Sequence, residues 1–368
     1  MIIVILKDIA FLSMISVSLA IIMVIAQKWL SNYGECKIDI NGKREITVIG
    51  GNSLLSSLSD KQIFLPSACG GRGTCGACKC KVISGGGPLL PTEKPVLTAE
   101  EIAAGDIRLS CQVKVKSDIK IEIPSSIFNI RRYHAVITEI IDYTYDTKGI
   151  TFKLDEGEKI DFLAGQYVQI DTLPYASVKQ KVSRAYSISS KPEINDALQL
   201  IIRYVPEGIC TTWVHQFLKV GDHVSLTGPY GDFFLRDTEA DIIYVAGGSG
   251  KAPIKSMLEH LQVVGTNRKM TYFFGARTPK DLYLTDEMKA LEKVFPDFKY
   301  EPVLSASVAS DNWTGKTGFL MPYFAEAIRD PKNTEAYLCG SPGMISAVTK
   351  SLIEHGIPKD KIYYDSFG

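Results

Sequence analysis

Asp241-Ile242-Ile243-Tyr244-Val245-Ala246-Gly247-Gly248-Ser249-Gly250-Lys251-Ala252-Pro253 decides how the last third of the chain is built. Residues 242–246 form an unbroken apolar run, the pattern of a parallel strand buried on both faces. Glycines follow at once, and a helix is expected over about 253–264. Strand, glycine-rich loop and helix in that order make a site for phosphates, because N–H groups at a helix start point at the anion. The three-glycine dinucleotide fingerprint is not present, since Pro253 stands where the third glycine belongs.

Working outward, the alternation continues. Strands are expected at 270–274, 300–304 and 335–339, and helices at 286–294, 319–328 and 343–355. That predicts an open α/β sheet. Upstream, strand candidates at 134–141, 149–154, 167–171, 185–189 and 198–205 with one short helix at 213–218 predict an antiparallel barrel. Still earlier, an Asn41-Gly42 turn marks a hairpin. Closing strands are expected at 113–115 and 119–123.

The chain has 368 residues, 45 % hydrophobic and 22 % charged, enough for several domains with ordinary cores. Lys+Arg and Asp+Glu both number 41, so no basic excess argues for nucleic acid. Of eight cysteines, four lie between Cys69 and Cys80. A chain this long has no need of a disulfide framework, so the cluster reads as metal ligands in a reducing compartment.

Cys69, Cys75 and Cys78 share the loop Cys69-Gly70-Gly71-Arg72-Gly73-Thr74-Cys75-Gly76-Ala77-Cys78, and Cys111 follows at a distance. Three thiolates from one loop plus one from afar suit a [2Fe-2S] cluster. Zinc prefers two paired Cys-x2–4-Cys halves, and only one is present. Loop glycines let backbone N–H groups approach the cluster sulfurs. Cys36 and Cys80 are left as buried thiols.

Arg184-Ala185-Tyr186-Ser187 offers a cation for a pyrophosphate, an aromatic face and a hydroxyl, which is what a flavin dinucleotide requires. Gly208, Thr211 and Thr212 precede the short helix and are candidates for its phosphate.

These motifs in this order resemble the ferredoxin–NAD(P)H reductase superfamily. The five-residue first gap of the cysteine loop is similar to that of the F subunits of sodium-translocating NADH:quinone oxidoreductases. The resemblance implies FAD at Arg184, Tyr186, Ser187, Gly208, Thr211 and Thr212, with Ser187 near the reacting flavin nitrogen. It implies NADH over Gly247, Gly248, Gly250 and Pro253, with Arg277 near the adenosine half. Cys339-Gly340 would stand beside the reacting nicotinamide carbon, and the near-terminal Phe367 would cover the flavin. Ser187, Cys339 and Phe367 are thus the expected catalytic set. One departure is visible: sixteen residues separate Tyr167 from Arg184, where the F subunits carry a long insertion.

Residues 9–26 carry no charge and approach the roughly 20 residues that span a bilayer. A cleaved signal peptide would have a basic start and a small-residue site, and neither is present. Lys28 after the run favours a cytoplasmic C-terminal side. The expectation is a multidomain α+β and α/β chain. It comprises a transmembrane anchor over 1–30, a β-grasp [2Fe-2S] ferredoxin-like domain over 31–128, an antiparallel FAD-binding β-barrel over 129–237 and an α/β NAD-binding domain over 238–368. It would be single-pass in the cytoplasmic membrane, its soluble domains in the cytoplasm, with other subunits of a membrane redox complex as partners. The resemblance implies hydride transfer from NADH to FAD and single electrons onward to the cluster. The rivals are the reductase component of a multicomponent oxygenase, ordinarily soluble, and a non-catalytic anchored electron carrier.

Overall fold

The structure is a computed structural model that describes residues 2–30, 33–179 and 181–367, with side chains of the first helix described at 11–24 and 26. It divides into two compact units, Met1–Asn129 and Ile130–Gly368.

The first unit opens on α1 (Ile2–Leu30). No glycine or proline interrupts it, so the intrahelical ladder runs unbroken. The side chains at 11–24 are exposed. Among the described residues no helix is long and apolar enough to cross a membrane. The Lys28 side chain lies outside the described residues.

A hairpin follows, β1 (Glu35–Ile40) and β2 (Arg44–Ile49). Asn41 and Gly42 both take positive φ at its turn, as the sequence pair implies. Next come α2 (Leu54–Asp60), capped by the Ser53 hydroxyl, β3 (Lys79–Ser84), α3 (Ala99–Ala104), β4 (Ile107–Leu109) and β5 (Ile119–Glu122). The sheet order is β2-β1-β5-β3-β4. Residues 113–115 are not a strand. Val113 and Val115 are buried, but their backbone serves the start of α2: Leu54 N donates to Val113 O at 2.7 Å, and Val115 N to Asn52 O at 2.9 Å.

The second unit begins with β6 (Arg131–Thr144), β7 (Thr147–Leu154), β8 (Tyr167–Asp171), β9 (Ser183–Ser187), β10 (Ala197–Arg203), α4 (Ile209–Gln216) and β11 (His223–Tyr230). The strands are antiparallel in the order β10-β7-β6-β11-β8-β9. A bridge between Ile188 and Leu200 joins the two ends and closes the barrel. Trp213 of α4 is buried among Phe152, Ile170, Leu200 and Leu226.

Then come β12 (Asp241–Gly247), α5 (Lys251–Val264), β13 (Met270–Ala276), α6 (Thr285–Ala290), β14 (Phe298–Leu304), β15 (Lys316–Thr317), α7 (Phe324–Ala327), β16 (Thr334–Gly340), α8 (Pro342–Glu354) and β17 (Ile362–Ser366). The sheet is parallel, in the order β15-β14-β13-β12-β16-β17. The helix expected over 319–328 is only α7. Pro322 lacks an N–H and sits in a tight 3-10 turn that replaces its first half.

One buried ion pair, unseen in the sequence, fixes the glycine-rich break of the first unit. Arg108 is 3 % exposed and Glu93 fully buried, 2.7 Å apart. The Arg108 guanidinium also donates to the carbonyls of Gly86, Gly87 and Pro88 at 2.8–3.0 Å. Burial pushes the Glu93 carboxyl up. Hydrogen bonds from Arg108 and from the Leu90 and Leu109 N–H groups outweigh that and hold it below the ordinary glutamate range. Glu93→Ala strands a buried guanidinium and should lower unfolding stability by about 3–5 kcal/mol in urea. A loss below about 1 kcal/mol would mean that water replaces the carboxylate.

Candidate functional site

In the first unit the four expected ligands form two pairs. The Cys75 thiol donates to Cys69 sulfur, and the Cys78 thiol to Cys111. These bonds hold Cys69 and Cys111 below the usual thiol range. Cys69 is helped by Thr74 and by the Cys75 N–H, and Cys111 by the Gln112 amide at 3.7 Å. Cys69 and Cys78 are buried and Cys75 is exposed. Among the described residues no group of three or more His, Cys, Asp or Glu could hold a metal ion at one point. Two separate thiol pairs suit a binuclear cluster, with a pair for each iron, better than one tetrahedral zinc.

The loop owes its path to Gly70, Gly71, Gly73 and Gly76, all at positive φ. A Cβ on Gly73 would lie 2.7 Å from the Gln112 amide nitrogen beside Cys111. Cys80 points away on β3, buried, its thiol pushed up to about 12 by desolvation. Cys36 donates to the Tyr33 carbonyl.

In the second unit the flavin candidates meet at β9 and α4. Ser187 pairs with Tyr167 on one face of β9, whereas Arg184 and Tyr186 share the other with Ile170 and Val168. Burial, then Cys210, raises the Tyr186 phenol well above its ordinary value, and its hydroxyl donates to the Cys210 sulfur on α4. The Arg184 side chain donates to the Ser183 carbonyl at 2.7 Å. Gly208 is the N-cap of α4, and the first-turn N–H groups after it have no intrahelical acceptor. Thr211 differs from the expectation in one respect. Its hydroxyl is committed to the preceding turn, through Val205 N at 3.2 Å and Val205 O at 3.1 Å. A Cβ on Gly208 would fall 2.5 Å from that hydroxyl. Thr212 is half-buried, its N–H on Gly208 O at 2.8 Å.

The nicotinamide candidates meet where the strand order reverses, between β12 and β16, the usual ligand crevice of an open α/β sheet. Ala246 and Cys339 are register partners. Gly248 has φ +56, and Gly250 packs so closely that a Cβ would lie 2.2 Å from the Cys339 carbonyl oxygen. Pro253 is buried in the first turn of α5, where its missing N–H costs nothing. Cys339 is fully buried, and desolvation keeps its thiol well above the usual range. Gly340 has φ +156 and accepts from the Phe367 N–H at 2.9 Å. Phe367 is 36 % exposed, and Arg277 is exposed at the end of β13.

Asp365, unseen in the sequence, links the two halves. It is the register partner of Cys339, and it accepts from the Ser187 hydroxyl at 3.4 Å. Burial raises its carboxyl above the ordinary value against that hydrogen bond. A cavity of about 380 Å³ opens beside it, lined by Gly165, Tyr167, Asp232, Arg236 and Tyr363 among others. That volume is within the range of small-molecule pockets, and at Gly208 and Gly250 a Cβ would collide with Thr211 and with the Cys339 carbonyl.

Three family models match: a 2Fe-2S iron-sulfur cluster binding domain over residues 38–116, an oxidoreductase FAD-binding domain over 134–235 and an oxidoreductase NAD-binding domain over 244–350. The F subunit of the Na(+)-translocating NADH-quinone reductase of Pseudomonas aeruginosa is 35 % identical over 393 positions, covering 96 % of each chain. The alignment is longer than this chain, so that relative carries residues absent here. The corresponding Neisseria meningitidis protein is 32 % identical and covers 99 % of both chains. Among solved structures, Amycolatopsis cytochrome P450 reductase GcoB is similar at TM-score 0.73 and 28 % identity, covering 90 % of this chain and 98 % of that one. The ferredoxin reductase in carbazole 1,9a-dioxygenase follows at TM-score 0.71 and 26 % identity, covering 91 % and 98 %.

Gly250→Ala should cost about 1–3 kcal/mol, since the clash is with backbone, and should weaken nicotinamide-nucleotide binding in a fluorescence titration. Gly247→Ala meets only the flexible Met344 sulfur, at 3.1 Å, and should cost less. Equal effects from the two would refute the close approach as the reason for Gly250.

Proposed function

This chain belongs to the family of Na(+)-translocating NADH-quinone reductase F subunits, and we propose on that premise that it oxidises NADH and hands electrons singly to a membrane acceptor. FAD, when bound, supplies the change from two-electron hydride chemistry to one-electron transfer, and a [2Fe-2S] cluster carries the single electrons. The observation that carries this reading is the meeting of the glycine loop, Cys339 and Asp365–Ser187 at one strand-order reversal.

The residues divide the work. Gly247, Gly248 and Gly250 let a dinucleotide lie against the backbone, and Pro253 starts the helix beneath it. Arg277, exposed at the strand end, takes the adenosine half. Cys339, held neutral, borders the reacting nicotinamide. Ser187 would present its hydroxyl to the flavin ring; Asp365 takes its one proton and orients it, so the oxygen is free to accept a hydrogen bond there. Arg184 and the first turn of α4, at Gly208, Thr211 and Thr212, take the flavin phosphates, and Tyr186 packs on the ring. Phe367 would cover the flavin and give way to nicotinamide. Cys69, Cys75, Cys78 and Cys111 would hold the cluster through their thiolates.

The domains divide as 1–30, 31–128, 129–237 and 238–368. Residues 1–30 form a single anchor in the cytoplasmic membrane, with the remainder in the cytoplasm beside NADH. The uncharged run at 9–26 and the exposed apolar side chains at 11–24 support it. Partner subunits, a quinone as final acceptor and sodium translocation extend to this chain what the name of its relatives states. The anchor disfavours an oxygenase reductase, despite the likeness to two such proteins in fold.

NADH added anaerobically to wild-type protein should bleach flavin absorbance and elicit the paramagnetic signal of a reduced binuclear cluster. Cys111→Ala should abolish the signal and acceptor reduction, and leave the bleaching within about twofold. Absence of bleaching in the wild type defeats the proposal. Loss of bleaching in Cys111→Ala would instead show that the cluster domain is needed for the hydride step.

A further inference from the structure

Lys251 stands directly after the glycine loop, as the first residue of α5, and its side chain is fully buried. Nζ donates to the Tyr283 carbonyl at 2.7 Å and to the Tyr300 hydroxyl at 3.0 Å. Phe274 lies beneath it at 3.9 Å. Among the described residues, the charged or titratable groups around it are Tyr272 from β13, Tyr300 from β14, Tyr283 from the loop before α6, and Glu287 of α6 acting through space. Cys339 of β16 lies behind the tyrosines, buried and neutral. No carboxylate pairs with the amine among these residues.

Two oxygen partners match the two N–H groups of a neutral amine. The ring faces of Phe274, Tyr283, Tyr300 and Tyr272, at 3.9–5.9 Å, attract an ammonium, but by less than burying a charge without a counter-ion costs. The cage is also wired to the loop. The Tyr283 hydroxyl donates to the Gly248 carbonyl at 2.8 Å, and Gly250, next to Lys251, packs on Cys339. Nζ is thus joined to the loop at Gly248, through Tyr283, and at the adjoining Gly250.

We propose that Lys251 is a positioning residue that couples seating of the Gly247–Gly250 loop to proton release: the loop seats over a neutral amine and lifts when the amine takes up a proton. This rests on reading the loop as the nicotinamide-nucleotide site. Burial pushes the amine down to about 7, against a through-space pull from Glu287, whereas a lysine lifted into water returns to about 10.4. Between those values the lifted form holds a proton that the seated form has released. Raising the pH therefore favours seating, by about tenfold per pH unit, and the dependence ends below about pH 7.

The test is amide hydrogen exchange of residues 244–252 in the full-length protein without nucleotide, corrected for the intrinsic pH dependence. In wild type, protection should rise about tenfold per unit from pH 7 to 9, and KM for NADH should fall over that window while kcat moves less than twofold. Lys251→Met, similar in length and never charged, should be protected at every pH. Lys251→Arg, charged at every pH, should be unprotected throughout. Should either fail to fold, Glu287→Gln alters an exposed side chain and removes an acid that favours the charged amine, so the low-pH end of the window should move down. A flat wild-type profile, or equal slopes in wild type and Lys251→Met, overturns the inference. A sloping exchange profile in protein that NADH does not reduce would instead sustain the proton coupling and defeat the assigned activity.

Discussion

The second unit depends on one close approach: the turn after β12 nests against the turn after β16. Gly250 meets the Cys339 carbonyl where any side chain would collide, and Gly340 takes a φ that other residues avoid. Parallel pairing of Ala246 with Cys339 sets the two turns level. From that contact α5 gets its starting point, and β17 is laid beside β16 with Asp365 opposite Cys339. The barrel then joins through Ser187. There a hydroxyl of β9 meets a carboxylate of β17.

The first unit solves a related problem with charge. Its cysteine loop has little apolar surface to bury, and Cys111 must be brought to Cys78 from a distant segment. Ser110 N donates to Cys78 O at 3.0 Å and sets that register. Arg108, three residues before Cys111, is locked by Glu93 and three carbonyls of the glycine-rich break. Removing either partner would leave a buried charge, so the loop ends cannot drift separately.

Local patterns in the sequence carried much of this. The run at 242–246, the cysteine spacing and the Asn41-Gly42 turn each encode their structure within a few residues. What stayed hidden depends on distance or on broken periodicity. Asp365 acquires meaning only from Ser187, 178 residues away, and Arg108 only from Glu93. β11 is interrupted by Gly228-Pro229, so its alternation is poor. β17 is five residues near the end of the chain and resembles a frayed tail. Residues 113–115 look like a strand because their apolar positions alternate, yet the start of α2 claims their hydrogen bonds. Lys251 reads as an ordinary loop cation until its burial is seen.

The crevice is built to be electrically quiet at its floor. Cys339, Tyr272 and Tyr283 are all pushed by desolvation toward their neutral forms, and Lys251 is pushed the same way from the opposite sign. Charge is kept at the rim, where Arg203 pairs with Asp146 at 2.7 Å and remains partly exposed. This division suits a reaction in which hydride must pass without water. A fixed ion at the floor would draw water in. Asp365 is the exception that the chemistry tolerates. Its carboxyl is raised by burial yet tied to Ser187, so this buried acid is held by a hydrogen bond rather than by a cation. The dry floor and the glycine turns are one design, because removing side chains from the turns lets the backbone close the gap that solvent would otherwise fill.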